Sequence, residues 1–311
     1  MTRYILKRLL YGIITIIGAT IVVFALSRMT GDPRYLYAQQ GGYGITEEQW
    51  AALGKELHLD KPLIVQYFYW FKDVARGNLG RSLVDRKPVA EYLAQRYPNT
   101  IRLGLVAWVF ATVVGIPLGI LSAIKRGAWG DYVGRGIALL GQAVPVFWLG
   151  IMGILIMSVK FRLLPAGTMG DGFSPKNYVM PAFVLGILPL AGYCRLTRSA
   201  MLEVLDSEYV KYARAKGVRE TLVVWKHAFR NALIAPLTFS AMQIAWLVSG
   251  AVVTETVFTW PGVGRLAVEA VWVNNFPMIC GVVLTISATV VIMNFLADIA
   301  YAYVDPRIRY G

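Results

Sequence analysis

Charge is scarce in this chain. Only 16% of its 311 residues are Asp, Glu, Lys or Arg, against about 25% in an ordinary soluble domain. Cysteine and histidine number two each. Cys194 and Cys280 lie in or beside apolar runs and form no Cys-x-x-Cys, so a disulfide framework is excluded and both read as small buried apolar residues. His58 and His227 are far apart and offer no metal-ligand spacing, so no metal site is expected. The chain has no Gly-x-x-x-x-Gly-Lys-Ser/Thr loop and therefore no phosphate cradle of that type. Ser, His, Asp, Glu and Cys form no cluster in chemical spacing, so no catalytic residue is assigned. Disordered and collagen-like chains, and a two-domain soluble enzyme, are excluded by the apolar content.

What the chain has is apolar length. Hydrophobic residues make up 57% of it, with a mean hydropathy of +0.54. They gather in runs near the ~20 residues that a helix needs to cross a bilayer. The expected fold class is an all-α integral membrane protein with six transmembrane helices and a long external loop after the first. The segments run from about Leu9 to Leu26, Leu103 to Ile124, Ile137 to Val159, Tyr178 to Cys194, Ala232 to Val253 and Met278 to Ala297. The first follows Arg3, Lys7 and Arg8 as a signal peptide would, but its run exceeds a usual signal core, so a retained anchor is expected. Pro117, between Gly115 and Gly119, and Pro145 each withdraw a backbone donor and favour a kink. Gln243 and Asn294 suit either a pathway lining or an interhelical hydrogen bond. No acid falls near the middle of an expected span, which argues against a proton-coupled carrier.

The net charge of +13 suggests nucleic acid, yet its placement points to a membrane. With six spans, the N-terminus, the 125–136 loop, the 195–230 loop and the C-terminal tail share one side and hold 16 Lys and Arg. The short loops opposite, 160–177 and 254–277, hold 4; the 28–102 loop on that side holds 11 but is long enough to be largely exempt from the rule. Both termini are therefore expected in the cytoplasm, with no nucleic-acid partner. The expected division is an N-terminal transmembrane helix over 1–28, an external loop over 29–95, a membrane core over 96–302 and a tail over 303–311. In the external loop Thr46 suits an N-cap with Glu47 and Glu48 in the first turn, Pro62–Val74 suits a second helix, and Gly77-Asn78-Leu79-Gly80 reads as a turn. This loop is either a docking surface for an external partner or a cap.

The 195–230 loop is the most informative polar stretch. Asp206-Ser207 can cap a helix that begins at Glu208 and carries Lys211, Arg214 and Lys216 toward its end. Gly217 suits the left-handed position that terminates it. A second helical pattern runs from about Glu220 to Arg230. A short rigid helix of this kind either seats in a groove of a soluble partner or lies on anionic membrane lipid.

The stretch from Glu208 through Tyr209, Val210, Lys211, Tyr212, Ala213, Arg214, Ala215 and Lys216 to Gly217, with His227–Pro236 after it, resembles the coupling loop of ABC importer permeases of the dipeptide/oligopeptide/nickel family. Ala213 and Gly217 match the general Glu-Ala-Ala-x-x-x-Gly motif; Lys211 and Tyr212 replace its Glu and first Ala, as in the peptide subgroup. Arg3–Leu10, Gly31-Asp32-Pro33, Gly77–Ser82, Pro98-Asn99-Thr100, Val257–Leu266, Asp298, Tyr301 and Asp305–Tyr310 are similar to further family segments in the same order.

The resemblance implies a type I importer permease fold and a non-enzymatic transport subunit without a cofactor of its own. The implied partners are a second homologous permease, two ATP-binding subunits and an external substrate-binding protein, in a bacterial or archaeal plasma (inner) membrane. It implies ATPase coupling through Glu208, Tyr209, Val210, Ala213, Arg214, Ala215, Lys216 and Gly217. Pro261, Gly262, Gly264 and Arg265 lie in a short segment that either gates the path from outside or caps the fifth span. The implied cargo is peptide or a similar small solute.

Overall fold

The computed structural model describes residues 2–29, 34, 46–56, 58–170 and 174–304. The expected features at Gly31-Asp32-Pro33 and Asp305–Tyr310 lie outside them. The molecule is 81% helical, with no strand among the described residues. In chain order the helices are α1 (Thr2–Met29), α2 (Glu47–Glu56), α3 (Leu63–Ala75), α4 (Val89–Ile124), α5 (Trp129–Ala143), α6 (Val146–Gly153), α7 (Pro175–Leu205), α8 (Glu208–Ala215), α9 (Glu220–Leu222), α10 (Arg230–Ala232), α11 (Ile234–Val257), α12 (Val263–Trp272) and α13 (Phe276–Val304). Wider π turns continue α6 over Ile154–Lys160 and join α9 to α10 over Val223–Phe229.

Helices cover all six expected spans. Among the described residues Leu6–Leu26, α4, α7 and Phe276–Ile299 are each long and apolar enough to cross a membrane, and α11 covers the expected fifth segment with 24 residues. The third segment departs from expectation. Pro145 does not merely kink it: α5 stops at Ala143, α6 starts at Val146, and the two directions differ by 104°. A proline lacks the amide that would continue the ladder, and Val144 before it takes extended backbone (φ −82°, ψ 126°). Pro117, Pro181 and Pro189 sit inside unbroken helices. The fourth segment, short by hydropathy, is a 31-residue helix.

The described chain forms two compact units. The first contains Ile101–Trp260 and the chain from Ile292 onward. Its axis is α7, whose most apolar window is 67% buried. Small residues let the backbones around it close up. A Cβ on Gly115 of α4 would lie 2.8 Å from Leu190 O of α7, one on Gly119 would lie 2.6 Å from Cys194 O, and one on Gly186 of α7 would lie 2.9 Å from Ala107 O. Tyr193 Oη and Trp108 Nε1 both donate to Ser240 Oγ, at 2.8 and 3.1 Å, joining α7, α4 and α11.

The second unit contains Thr2–Thr100 and Pro261–Val291. Phe24 of α1 packs against Tyr67 and Trp70 of α3, each at 5.5 Å between ring centres. Val89, Leu93, Val263, Leu266, Met278 and Val282 form its buried apolar centre. Gly77 and Gly80 have φ of 84° and 81°, and Asn78 Oδ1 accepts the Gly80 amide at 3.0 Å, which gives the expected turn.

Candidate functional site

The polar segment between α7 and α11 folds as a helix, a tight stop and a second helical run. Ser207 holds the N-cap position of α8 in extended backbone, as expected, but its side chain does not cap the helix. Its hydroxyl donates back to Val204 O, and the Val210 and Lys211 amides bond Ser207 O instead. The C-terminal end follows the expected pattern closely. Gly217 has φ +76°, its amide bonds Arg214 O at 2.9 Å, and the Val218 amide reaches Ala213 O at 3.2 Å. This paired closure is the Schellman arrangement, which satisfies the last carbonyls of the helix.

Two residues of α8 face inward. Val210 is fully buried and Ala213 nearly so. Val210 joins Ile120 and Ala123 of α4, Met201 and Leu205 of α7, Val223, Val224 and Ala228 of the π stretch and Ala232 of α10 in one apolar cluster. Burying a valine side chain contributes about 2 kcal/mol, so α8 is seated rather than draped. The opposite face is open. Glu208, Tyr209, Lys211, Tyr212, Arg214, Ala215, Lys216 and Gly217 are exposed.

Hydrogen bonds lock α8 to the second run. Asn231 Nδ2 donates to Tyr209 Oη and to His227 O, both at 2.9 Å. Arg214 grips Glu220 with two donors, Nη2 to Oε1 at 2.7 Å and Nε to Oε2 at 3.2 Å. The Arg214 guanidinium holds the Glu220 carboxyl below its usual range.

Beside this seat lies an ion-pair node absent from the sequence reading. Asp131 of α5 is 2% exposed. It accepts Arg198 Nε and Nη2 of α7 at 2.8 and 3.0 Å, Ser122 Oγ of α4 at 2.7 Å and the Gly127 amide at 3.1 Å. One carboxylate thereby ties three helices together. Nothing in Gly130-Asp131-Tyr132 marks this: an acid in a short basic loop reads as solvated.

The remaining candidates are dispersed. Gln243 is half-buried on α11 and Asn294 is exposed on α13. Glu255, assigned by hydropathy to the segment after the fifth span, is inside α11 and fully buried. In the second unit Pro261 O accepts Asn99 Nδ2 at 2.9 Å, and the Val263 amide bonds Thr100 Oγ1 at 2.8 Å. Gly262 and Gly264 are buried, and Arg265 pairs with Glu269 at 2.7 Å. Asn275, also unforeseen, donates to Ser82 Oγ at 3.0 Å and accepts the Leu83 amide at 3.1 Å.

Long apolar helices around a seated amphipathic loop define a multi-pass membrane protein. The profile described as "Binding-protein-dependent transport system inner membrane component" matches residues 115–310, and that of its N-terminal part matches 1–104. The chain belongs to this family, the permease subunits of ABC importers, in which ATP hydrolysis resides on separate subunits. It is a multi-pass inner membrane protein. It is 40% identical over 339 residues to the dipeptide transport system permease protein DppB of Escherichia coli (strain K12), covering 100% of this chain and 99% of the relative. It is 37% identical over 336 residues to the di/tripeptide transport system permease protein DppB of Pseudomonas aeruginosa (strain UCBPP-PA14), at 100% and 99% coverage. The glutathione transport system permease protein GsiC of Salmonella choleraesuis (strain SC-B67) is 38% identical over 311 residues, at 100% of both chains. Among solved structures the fold is similar to that in an inward-facing MetNI methionine ABC transporter (TM-score 0.54, 18% identity, 70% of this chain and 97% of that one). It is also similar to that in an amino acid ABC transporter crystallised with histidines (TM-score 0.56, 12% identity, 69% and 94%).

Proposed function

We propose that this chain forms half of the translocation path of an importer for short peptides, and that the 207–230 segment receives the mechanical stroke of the ATPases. The observation that carries the reading is the seat of α8. A helix held by buried Val210 and Ala213, with a polar and aromatic face turned outward, passes force in both directions. Glu208, Tyr209, Arg214, Ala215, Lys216 and Gly217 form or border the face offered to a groove on an ATPase, while Val210 and Ala213 hold the helix against α4 and α7. Short peptides are the common chemistry of the cargo named for the three relatives.

The assembly is a second homologous permease, two ATP-binding subunits and an external binding protein, with both termini of this chain in the cytoplasm as the 16-to-4 distribution of Lys and Arg favours. Gln243 and Asn294 line the path. Pro261, Gly262, Gly264 and Arg265 form the external gate, moving with the Asn99 and Thr100 hydrogen bonds that hold them. ATP drives transport only through its differential affinity for the two access states.

Affinity purification of the tagged chain in mild detergent, followed by mass spectrometry, tests the assembly. A second permease and ATPases are the expected companions. A lone chain or homo-oligomer, even after gentle crosslinking, overturns the reading. Direct binding of ATP to this chain does so too.

A further inference from the structure

A cleft of about 370 Å³ opens between α5 and α7 in the first unit, on the side where Asp131 meets Arg198. Arg135, Arg195, Arg198, Gln142 and Ser199 line it with Leu139. The charges do not balance. Arg198 commits two donors to Asp131, so that pair is neutral. Arg135 reaches the same carboxylate with one nitrogen at 3.4 Å and stays half exposed. Arg195 donates to the neutral Gln142 Oε1 at 3.3 Å and is exposed. Three arginines thus line one small cleft whose neighbouring carboxylate, buried Asp131, offsets only one of them, with an amide and a hydroxyl beside them.

We infer that this cleft binds the phosphate of an anionic phospholipid from the cytoplasmic leaflet. Arginine presents planar paired donors that fit phosphate oxygens. Basic pockets between membrane helices on the cytoplasmic side suit such head groups. The depth fits as well: Arg195 directly follows the apolar run that ends at Cys194, and Arg135 precedes the one that starts near Ile137. A lipid is favoured over a free anion or a peptide carboxylate by what adjoins the charges. Leu139 lies one turn beyond Arg135 on α5, lines the same cleft and is 71% exposed, with Leu140 beside it at 62%. A phosphate on Arg135 and Arg195 therefore places acyl chains against an open apolar surface. A bound lipid would bridge α5 and α7 next to the Asp131 node. The inference rests on the cytoplasmic placement proposed above.

The test uses the intact importer complex in nanodiscs of equal parts phosphatidylglycerol and phosphatidylcholine, released for native mass spectrometry. Phosphatidylglycerol adducts are expected to outnumber phosphatidylcholine adducts on the wild type. Equal retention overturns the proposal without any variant. In the Arg135→Gln/Arg195→Gln double variant, which spares Asp131 and Arg198, the phosphatidylglycerol excess should fall by about tenfold or more, since each basic residue near an anionic surface is worth about fivefold. The Arg135→Lys/Arg195→Lys variant should keep most of it. Displacement of the adducts by soluble glycerol phosphate identifies a free-anion site and overturns the lipid assignment. Loss of peptide-stimulated ATPase activity with unchanged lipid adducts identifies a carboxylate site for cargo and overturns it also. ATPase subunits that stay bound while the lipid excess is absent separate failure of this inference from failure of the importer reading.

Discussion

Gly217 shows what one residue contributes. No atom lies within 4 Å of where its Cβ would be, so space does not select glycine there. The φ of +76° does, because a left-handed backbone costs a non-glycine residue about 1–2 kcal/mol and a β-branched one more. Gly217→Val should insert and assemble in the membrane yet lose most transport, as read by peptide uptake against membrane abundance; unchanged uptake would remove Gly217 from the coupling element. Glu220 gives a second, pH-dependent handle. Arg214 lowers its pKa in the folded chain, so the pair stabilises fully above the usual Glu value of 4.5 and is lost as pH falls below it. Both side chains are more than a third exposed, which limits the effect to about 1 kcal/mol. Hydrogen exchange at the 216–220 amides should therefore quicken below pH 4.5 relative to the intrinsic rate, and Glu220→Gln should remove that acid-specific change. Gly217 was legible in the sequence because its role is local. Asp131 was not, since its four donors come from positions up to 67 residues away.

At the scale of elements, the node around Asp131 predicts more than any single span does. Breaking a buried ion pair by removing one partner costs about 3–5 kcal/mol, and Arg198, 23% exposed, recovers a little of that from water. Asp131→Ala is expected to lower the thermal unfolding midpoint of the purified complex well beyond Arg135→Gln, which removes only a peripheral contact. Equal shifts would show that the carboxylate is not the organising group. Helix existence was readable from hydropathy in all six segments, but helix geometry was not. Pro117 and Pro145 look alike in sequence; one sits inside α4 and the other separates α5 from α6 by a 104° turn. The difference lies in the surroundings. Gly115 and Gly119 flank Pro117 and press α4 against α7, whereas Val144 before Pro145 has turned to extended backbone. Ser207 likewise reads as a capping side chain and bonds Val204 O instead, because the backbone of α7 ends within its reach.

For the whole molecule, the orientation proposed from the Lys and Arg of the short loops accounts for much of the basic excess without nucleic acid. Fusing a cytoplasm-only reporter to either end should give signal, and a periplasm-only reporter none. The reverse would place α8 on the wrong face for any ATPase and sink the coupling proposal. The order of family-like segments was legible along nearly the whole chain, because each is a local run of residues. The node at Asp131, the buried Glu255 and the clamp at Asn275 were not, because burial is set by neighbours brought in from elsewhere in the chain.

The glycine contacts of α4 and α7 bear on efficiency. Backbones that approach this closely leave a thin layer of side-chain material between them to absorb a displacement. On the coupling role proposed for α8, this close packing of α4 on α7 is what would carry a displacement from its seat into the first unit. A methyl group at Gly119, 2.6 Å from the carbonyl of Cys194, would act as a spacer that loosens this packing. Peptide affinity should stay the same in Gly119→Ala, while the number of ATP molecules spent per peptide delivered rises.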